Sequence, residues 1–181
     1  MELVDIYNER HEKMNYTKGR KELLDNEYRL SCFIWIINDK DEILLQQRLA
    51  TAKKMPNMWG TTAGGAQAGD TSLQGAMREL KEELGITVNE KEMTFIGSYK
   101  RINDFVEVWL CNKNINTNEL VLQQDEVQDT KWVSIEEFKN MVDNGTGIKS
   151  GFEIFELYYN NFYKRHYQLI DGKPVLVKNE K

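Results

Sequence analysis

The chain has few of the side chains on which many functions depend. It has two cysteines, Cys32 and Cys111, and two histidines, His11 and His166. Both cysteines fall in stretches that read as strands, which predicts buried free thiols and not a disulfide. Neither histidine has ligand-like companions, so no role is read for them. No apolar run approaches the length needed to cross a bilayer. The opening MELVDIYNERHEK is charged and lacks the apolar stretch of a signal peptide. A cytoplasmic protein is expected. Positive charge is also short, with 24 Lys and Arg against 29 Asp and Glu, a net charge of −5. That argues against stable nucleic-acid binding and against an anionic membrane surface. No internal repeat and no low-complexity linker interrupts the chain. Its 181 residues, 40% of them hydrophobic, fit a single domain over 1–181 with a sizeable core.

What is present alternates strands and helices, an α/β (α+β) order. Leu3 to Tyr7 reads as a short strand leading into a polar turn, and Arg20 to Glu27 as a charged connection. Arg29 to Ile37 and Glu42 to Leu49 read as strands of a hairpin turning at Asn38-Asp39-Lys40-Asp41. Ala50 to Trp59 is a loop, and Thr61 to Ala63 a short strand. Met93 to Ile102 and Phe105 to Asn112 form a second hairpin. A strand over Val127 to Val133 precedes a helix opened by the capping box Ser134 to Glu137 and ended by Asn144-Gly145-Thr146-Gly147. A second box, Ser150 to Glu153, predicts a helix to about Arg165. The tail, 166–181, is polar, with a β-like patch at Pro174 to Val177.

The most informative segment is GGAQAGDTSLQGAMRELKEELGI, residues 64–86. Leu73, Ala76, Met77, Leu80 and Leu84 recur at helical spacing and make an apolar stripe. Thr71 is the expected N-cap, with Gln74 completing a capping box, and Gly85 stands where a left-handed C-terminal residue is wanted. On such a helix Glu79, Glu82 and Glu83 share one face. Like charges at i, i+4 cost roughly 0.2–0.5 kcal/mol per pair. Arg78 can orient a carboxylate but cannot neutralise three. A hard cation can, and magnesium binds a few carboxylates together with substrate phosphates. An acidic total does not exclude a phosphate ligand, because bound metal reverses the local sign. A Lys- and Glu-rich solvated face is the plainer alternative. Six specified residues at about 7% each occur by chance at roughly 10⁻⁷ per window, which weighs against it.

These residues resemble the Nudix box, the signature of the Nudix hydrolase superfamily. Gly64, Arg78, Glu79, Leu80, Glu82, Glu83, Gly85 and Ile86 match it. Asp70 departs from it, standing where the pattern has glutamate, and reads equally as a weaker site acid or as a helix cap. The resemblance implies a mixed sheet sandwiched between helices. It implies a pyrophosphohydrolase that cleaves the diphosphate linkage of a nucleoside diphosphate derivative, with Mg2+ or Mn2+ as cofactor. Glu79, Glu82 and Glu83 would be the metal ligands, Arg78 would hold their geometry, and Gly64 and Gly65 would bring backbone close to metal and substrate.

The leading segment 1–27 and the late helix resemble the group related to isopentenyl-diphosphate isomerase. That enzyme needs a cysteine at the position of Ala63, which cannot move a proton, so isomerisation is disfavoured. A non-catalytic nucleotide-binding module is the second alternative, and the intact acids favour the hydrolase. By analogy a homodimer formed through the N-terminal segment is open.

Other candidates keep two readings each. Glu126 is a further base or ligand on a late loop, or an exposed loop acid. Glu107, in an alternating strand, faces the cleft or solvent. Arg48 meets a phosphate or forms a salt bridge. Lys53 and Lys54 steer an anion or are merely solvated. Trp59 packs under the catalytic loop or stacks a base, packing being the simpler expectation. Trp35, Trp109 and Trp132 read as core. Nothing in the sequence singles out one nucleotide as substrate.

Overall fold

The computed structural model describes residues 2–163, 167–171 and 173–176. It opens with a hairpin of β1 (Leu3–Tyr7) and β2 (Lys13–Gly19), paired as a separate two-stranded sheet. β2 lies beyond the polar turn the sequence suggests. It has no buried face except at its last residue, so no hydrophobic alternation marks it. Pairing with β1 makes it a strand.

A seven-stranded mixed sheet follows. Its members are β3 (Arg29–Ile37), β4 (Glu42–Arg48), β5 (Trp59–Gly60), β6 (Thr62–Gly65), β7 (Met93–Lys100), β8 (Asp104–Asn112) and β9 (Val127–Ser134). The helices are α1 (Ser72–Leu84), α2 (Ile135–Asp143) and α3 (Phe152–Tyr158). A hairpin of β10 (Tyr167–Ile170) and β11 (Lys173–Leu176) closes the described chain.

β3 organises the molecule. It runs parallel to β8 from Arg29↔Asp104 to Ile37↔Asn112. Leu30 to Ile37 are all buried, a continuous run because both faces of the strand are covered. Phe33, Trp35 and Ile37 point to one side, against Phe138 of α2 and Phe152 and Phe155 of α3. Cys32, Ile34 and Ile36 point to the other, against Ala76, Leu80 and Leu84 of α1. Each large apolar side chain buried in this way contributes about 1.5–3 kcal/mol. The sheet thus lies between helices, as the family resemblance implied. Both cysteines are free and buried. Trp35 is a core residue. Trp109 and Trp132 pack at the core margin and donate to Ser72 Oγ and Ile115 O.

Two local expectations are corrected. The hairpin of β3 and β4 keeps its turn but only one strand pair, Ile37↔Ile43. Beyond it the strands part, because β6 takes the edge of β3 and β5 that of β4, while β9 pairs along β4's far side. The capping box at Ser150 does not form. The chain enters α3 from Gly151 in the left-handed region, φ 76°, with no side-chain cap. A Cβ there would stand 3.3 Å from Phe33, so close packing on β3 dictates the entry. After α3 the backbone continues as a π-helical turn, Tyr159–Tyr163. The expected reach to Arg165 lies outside the described residues, as do His166 and 177–181. Among the described residues no helix is long and apolar enough to cross a membrane.

Candidate active site

The gap between β3 and β4 is where the acidic segment comes together. β6 carries Gly64 and Gly65 along β3 and passes through residues 66–70 into α1. Thr71 caps α1 as expected, with Gln74 Oε1 accepting in return from Thr71 N at 2.8 Å. Gly85 ends it at φ 72°. The apolar stripe packs on the sheet, which turns Glu79 toward β6 and Glu83 toward β4.

Glu79 lies directly over Gly64. A Cβ at position 64 would stand 2.0 Å from Glu79 Cδ, so only glycine leaves room for this carboxylate. Glu83 is 3% exposed and accepts from Gln46 Nε2 of β4 at 2.8 Å. Gln46 in turn accepts from Thr62 Oγ1 at 3.1 Å, so its amide is locked by β6. Burial pushes the Glu83 carboxyl up to about 8, with the charges of Glu79 and Glu126 acting in the same direction and the Gln46 hydrogen bond opposing. Burial also raises Glu79, and the attraction of Arg78 opposes this. Both shifts express first the removal of a carboxylate from water and only then the nearness of other acids.

Arg78 is the hub of the segment. Its Nη1 reaches Glu79 Oε1 and Glu82 Oε2, both at 3.2 Å. Its Nη2 donates to Gly65 O at 2.9 Å and lies 3.4 Å from Asp70 Oδ2. Asp70 therefore ties the loop to Arg78, and Thr71, not Asp70, caps the helix. Among the described residues no three His, Cys, Asp or Glu side chains converge as a ready-made metal cage. The reason is visible in the contacts: Arg78 draws Glu79 and Glu82 one way, and Gln46 holds Glu83 another.

The N-terminal hairpin grips the same loop. Ala68 N donates to Leu3 O at 2.9 Å, and Gly69 N to Asp5 Oδ2 at 2.8 Å. Asp5 is itself paired with Lys13 at 2.6 Å. Neither Asp5 nor Gln46 is marked in the sequence, since each acts only through a strand pairing.

Glu126 is exposed, in the turn just before β9, and its charge acts on both Glu79 and Glu83. Its place there follows from Gln123 N bonding to Glu83 O at 3.0 Å and Leu49 N to Glu126 O at 3.2 Å. Arg48 donates from Nε to Lys54 O at 3.1 Å and lines a cavity of about 270 Å³ shared with Gln46 and Ala63. Trp59 packs at the margin of the core beneath Lys131, whose Nζ is 4.6 Å from the ring centre, in keeping with the packing expectation. Glu107 is not brought to the acids. It accepts from Ser72 at the opposite end of α1, about 10 Å along the axis from Glu79. Cys32, far off in sequence, is close in space, with Sγ donating to Gly64 O at 3.6 Å. Its thiol is pushed up to about 12 by burial, which leaves it a packing residue.

The chain resembles known proteins over most of its length. The family model described as NUDIX domain matches residues 27–150. A Nudix hydrolase of Listeria innocua is 35% identical over 162 residues, covering 87% of this chain and 95% of that protein. An isopentenyl-diphosphate Delta-isomerase of Escherichia coli is 26% identical, covering 61% of this chain and 64% of that protein. The crystal structure of a Deinococcus radiodurans protein superimposes with a TM-score of 0.71 at 17% identity, covering 87% of this chain and 99% of that one. With the box residues gathered around Gly64 and most of its length matched, the chain belongs to the Nudix hydrolase family.

Proposed function

We propose that the protein is a divalent-metal-dependent pyrophosphohydrolase that cleaves the diphosphate linkage of a nucleoside diphosphate derivative. The observation that carries this reading is Glu79 seated over Gly64 on the same helix that buries Glu83 against Gln46, with the charge of Glu126 acting on both. A half-buried and a buried carboxylate one helical turn apart carry an unfavourable charge that a hard cation relieves. The donor set fits Mg2+ or Mn2+: oxygen ligands only, on one helix, with the Gly64–Gly65 backbone close by. Glu79, Glu82 and Glu83 would hold the ion. When bound, such an ion neutralises the diphosphate and acidifies a water for in-line attack.

The chain's own residues do the rest. Arg78 holds Glu79 and Glu82 in place and is anchored on Gly65 O. Gln46 fixes the rotamer of Glu83. Glu126, exposed to solvent and acting by its charge on the same acids, would accept the proton of the attacking water. Ala63 has no titratable atom and Cys32 is buried, so no thiol stands at the position where the isomerase needs one.

A hydrolysis screen with magnesium, coupled to a phosphatase, tests the reading. It runs nucleoside di- and triphosphates, sugar nucleotides, dinucleotides and isopentenyl diphosphate in parallel. Turnover of one nucleotide class is expected. In Glu83→Gln it should fall by more than the 10- to 100-fold typical of residues that only orient a ligand. Unchanged turnover in that variant would overturn the metal-ligand assignment.

A further inference from the structure

Residues 66–70 join β6, which carries Gly64 and Gly65, to α1, which carries Arg78 and the glutamates. Every N–H of this loop has a partner. Ala66 N donates to Leu30 O at 3.1 Å, Gln67 N to Asp70 Oδ2 at 3.2 Å and Asp70 N to Gln67 O at 3.0 Å. The remaining two are held by β1: Ala68 N donates to Leu3 O and Gly69 N to Asp5 Oδ2. β1 is firm enough to hold them. Val4 and Ile6 are almost wholly buried, and Tyr7 exchanges two backbone hydrogen bonds with Tyr28 at the entrance to β3.

Asp5 is 8% exposed, and its Oδ2 meets both the Gly69 N–H, at 2.8 Å, and the Lys13 ammonium, at 2.6 Å. A buried carboxylate is costly unless it is paired and hydrogen-bonded. Between Val4 and Ile6 an apolar residue would serve the fold as well or better. The loop's own acid restrains it loosely. Asp70 stands 3.4 Å from Arg78 Nη2 and is one methylene shorter than the glutamate of the Nudix pattern.

We propose that Asp5 is a positioning residue of the hydrolase. Through Gly69 it fixes the loop, and the loop presents Gly65 O and Asp70 to Arg78 Nη2. Arg78 Nη1 in turn reaches Glu79 and Glu82, both at 3.2 Å. Asp5 therefore acts on the metal ligands without touching them. A bond to an ionised acceptor is roughly twice as strong as one between neutral groups, which suits a side chain that must hold a loop by one contact. Asp5 also lies ahead of the Nudix domain at residues 27–150, so the box is supported here by a residue from outside that domain. The inference rests on the hydrolase reading and adds to it a dependence on the N-terminal hairpin.

Magnesium titration and turnover of the full chain, both well below the melting temperature, test it. Asp5→Ala should bind magnesium about 10–100-fold more weakly than wild type, the usual cost of removing an outer support of a metal site. At saturating magnesium its kcat should fall while KM stays near the wild-type value, because what is lost is the geometry of the reacting groups. Asp5→Asn should recover most of both. Its Oδ1 can still accept from Gly69 N, and Lys13, half exposed, can turn to water. Ile6→Val loosens the same hairpin without touching the loop and should match wild type in both. Equal magnesium affinity and kcat in wild type and Asp5→Ala overturn the assignment. So does an Asp5→Asn no better than Asp5→Ala, or an Ile6→Val that loses as much. If Asp5→Ala does not fold, amide exchange in wild type decides: the Ala68 and Gly69 N–H groups should be protected, and free exchange overturns the assignment. A wild type that binds no magnesium overturns it together with the metal site. A chain that hydrolyses nothing, but whose magnesium affinity depends on Asp5, sinks the hydrolase reading and leaves the positioning of the metal ligands standing.

Discussion

Gly64 is where a missing side chain decides the chemistry. The carboxylate of Glu79 occupies the space a Cβ would need. Gly64→Ala should therefore push Glu79 off the loop. Turnover should fall about as far as in Glu79→Gln, while stability drops only by the roughly 1–3 kcal/mol of an overpacked site. Parallel activity assays and thermal melts check this, and an active Gly64→Ala enzyme would show that Glu79 acts from elsewhere. Gln46 tests the neighbouring acid. Gln46→Met keeps the volume and removes the donor to Glu83. Titration with magnesium should show affinity about 10–100-fold weaker, the usual cost of losing a group that orients a metal ligand. Unaltered affinity would mean that Glu83 needs no such support.

Between elements, Asp104 is the corresponding point of strain. It starts β8 and accepts from Ser31 of β3 and from Arg101, with Arg29 of β3 alongside, so it ties the two parallel strands at the end nearest the site. Burial alone would raise its pKa, but hydrogen bonds from Arg101 and Ser31 outweigh that and hold it below the ordinary 3.8. A carboxylate with a depressed folded-state pKa lends stability above its unfolded value. That stability is lost as pH falls through the folded one. Acid unfolding of wild type should thus gain a component below pH 3.8 that Asp104→Asn lacks. At neutral pH the same variant should lose about 3–5 kcal/mol, the cost of leaving buried guanidinium charge unpaired. Chemical denaturation at pH 7 and pH 3 measures both, and parallel pH profiles for the two proteins would refute the assignment.

For the whole molecule, a cation held by α1 and bound only in the folded state must raise global stability. Magnesium at a hundredfold excess over its Kd should add about 2.7 kcal/mol. For a chain of this size that is worth roughly 2–4 °C of melting temperature per kcal/mol. EDTA should remove the increment, and Glu79→Gln and Glu83→Gln should never show it. A magnesium-independent melt in wild type would count against the metal site.

The sequence by itself determined the parts that depend on local periodicity and short-range chemistry. α1 with its cap, its box and its left-handed Gly85 was legible because each feature concerns residues within a few turns of one another. The buried run of β3 and the acids of one helix face were legible for the same reason. Only the tertiary structure decided what depends on strands far apart in the chain. It set Gln46 against Glu83, Asp5 against the loop at Gly69, and Glu107 against Ser72 at the far end of the helix. It also brought Arg29 and Arg101, from two separate segments, onto one carboxylate, that of Asp104. Pairing register, set by long-range packing, converts a strand position into a neighbour in space, and no spacing along the chain encodes it.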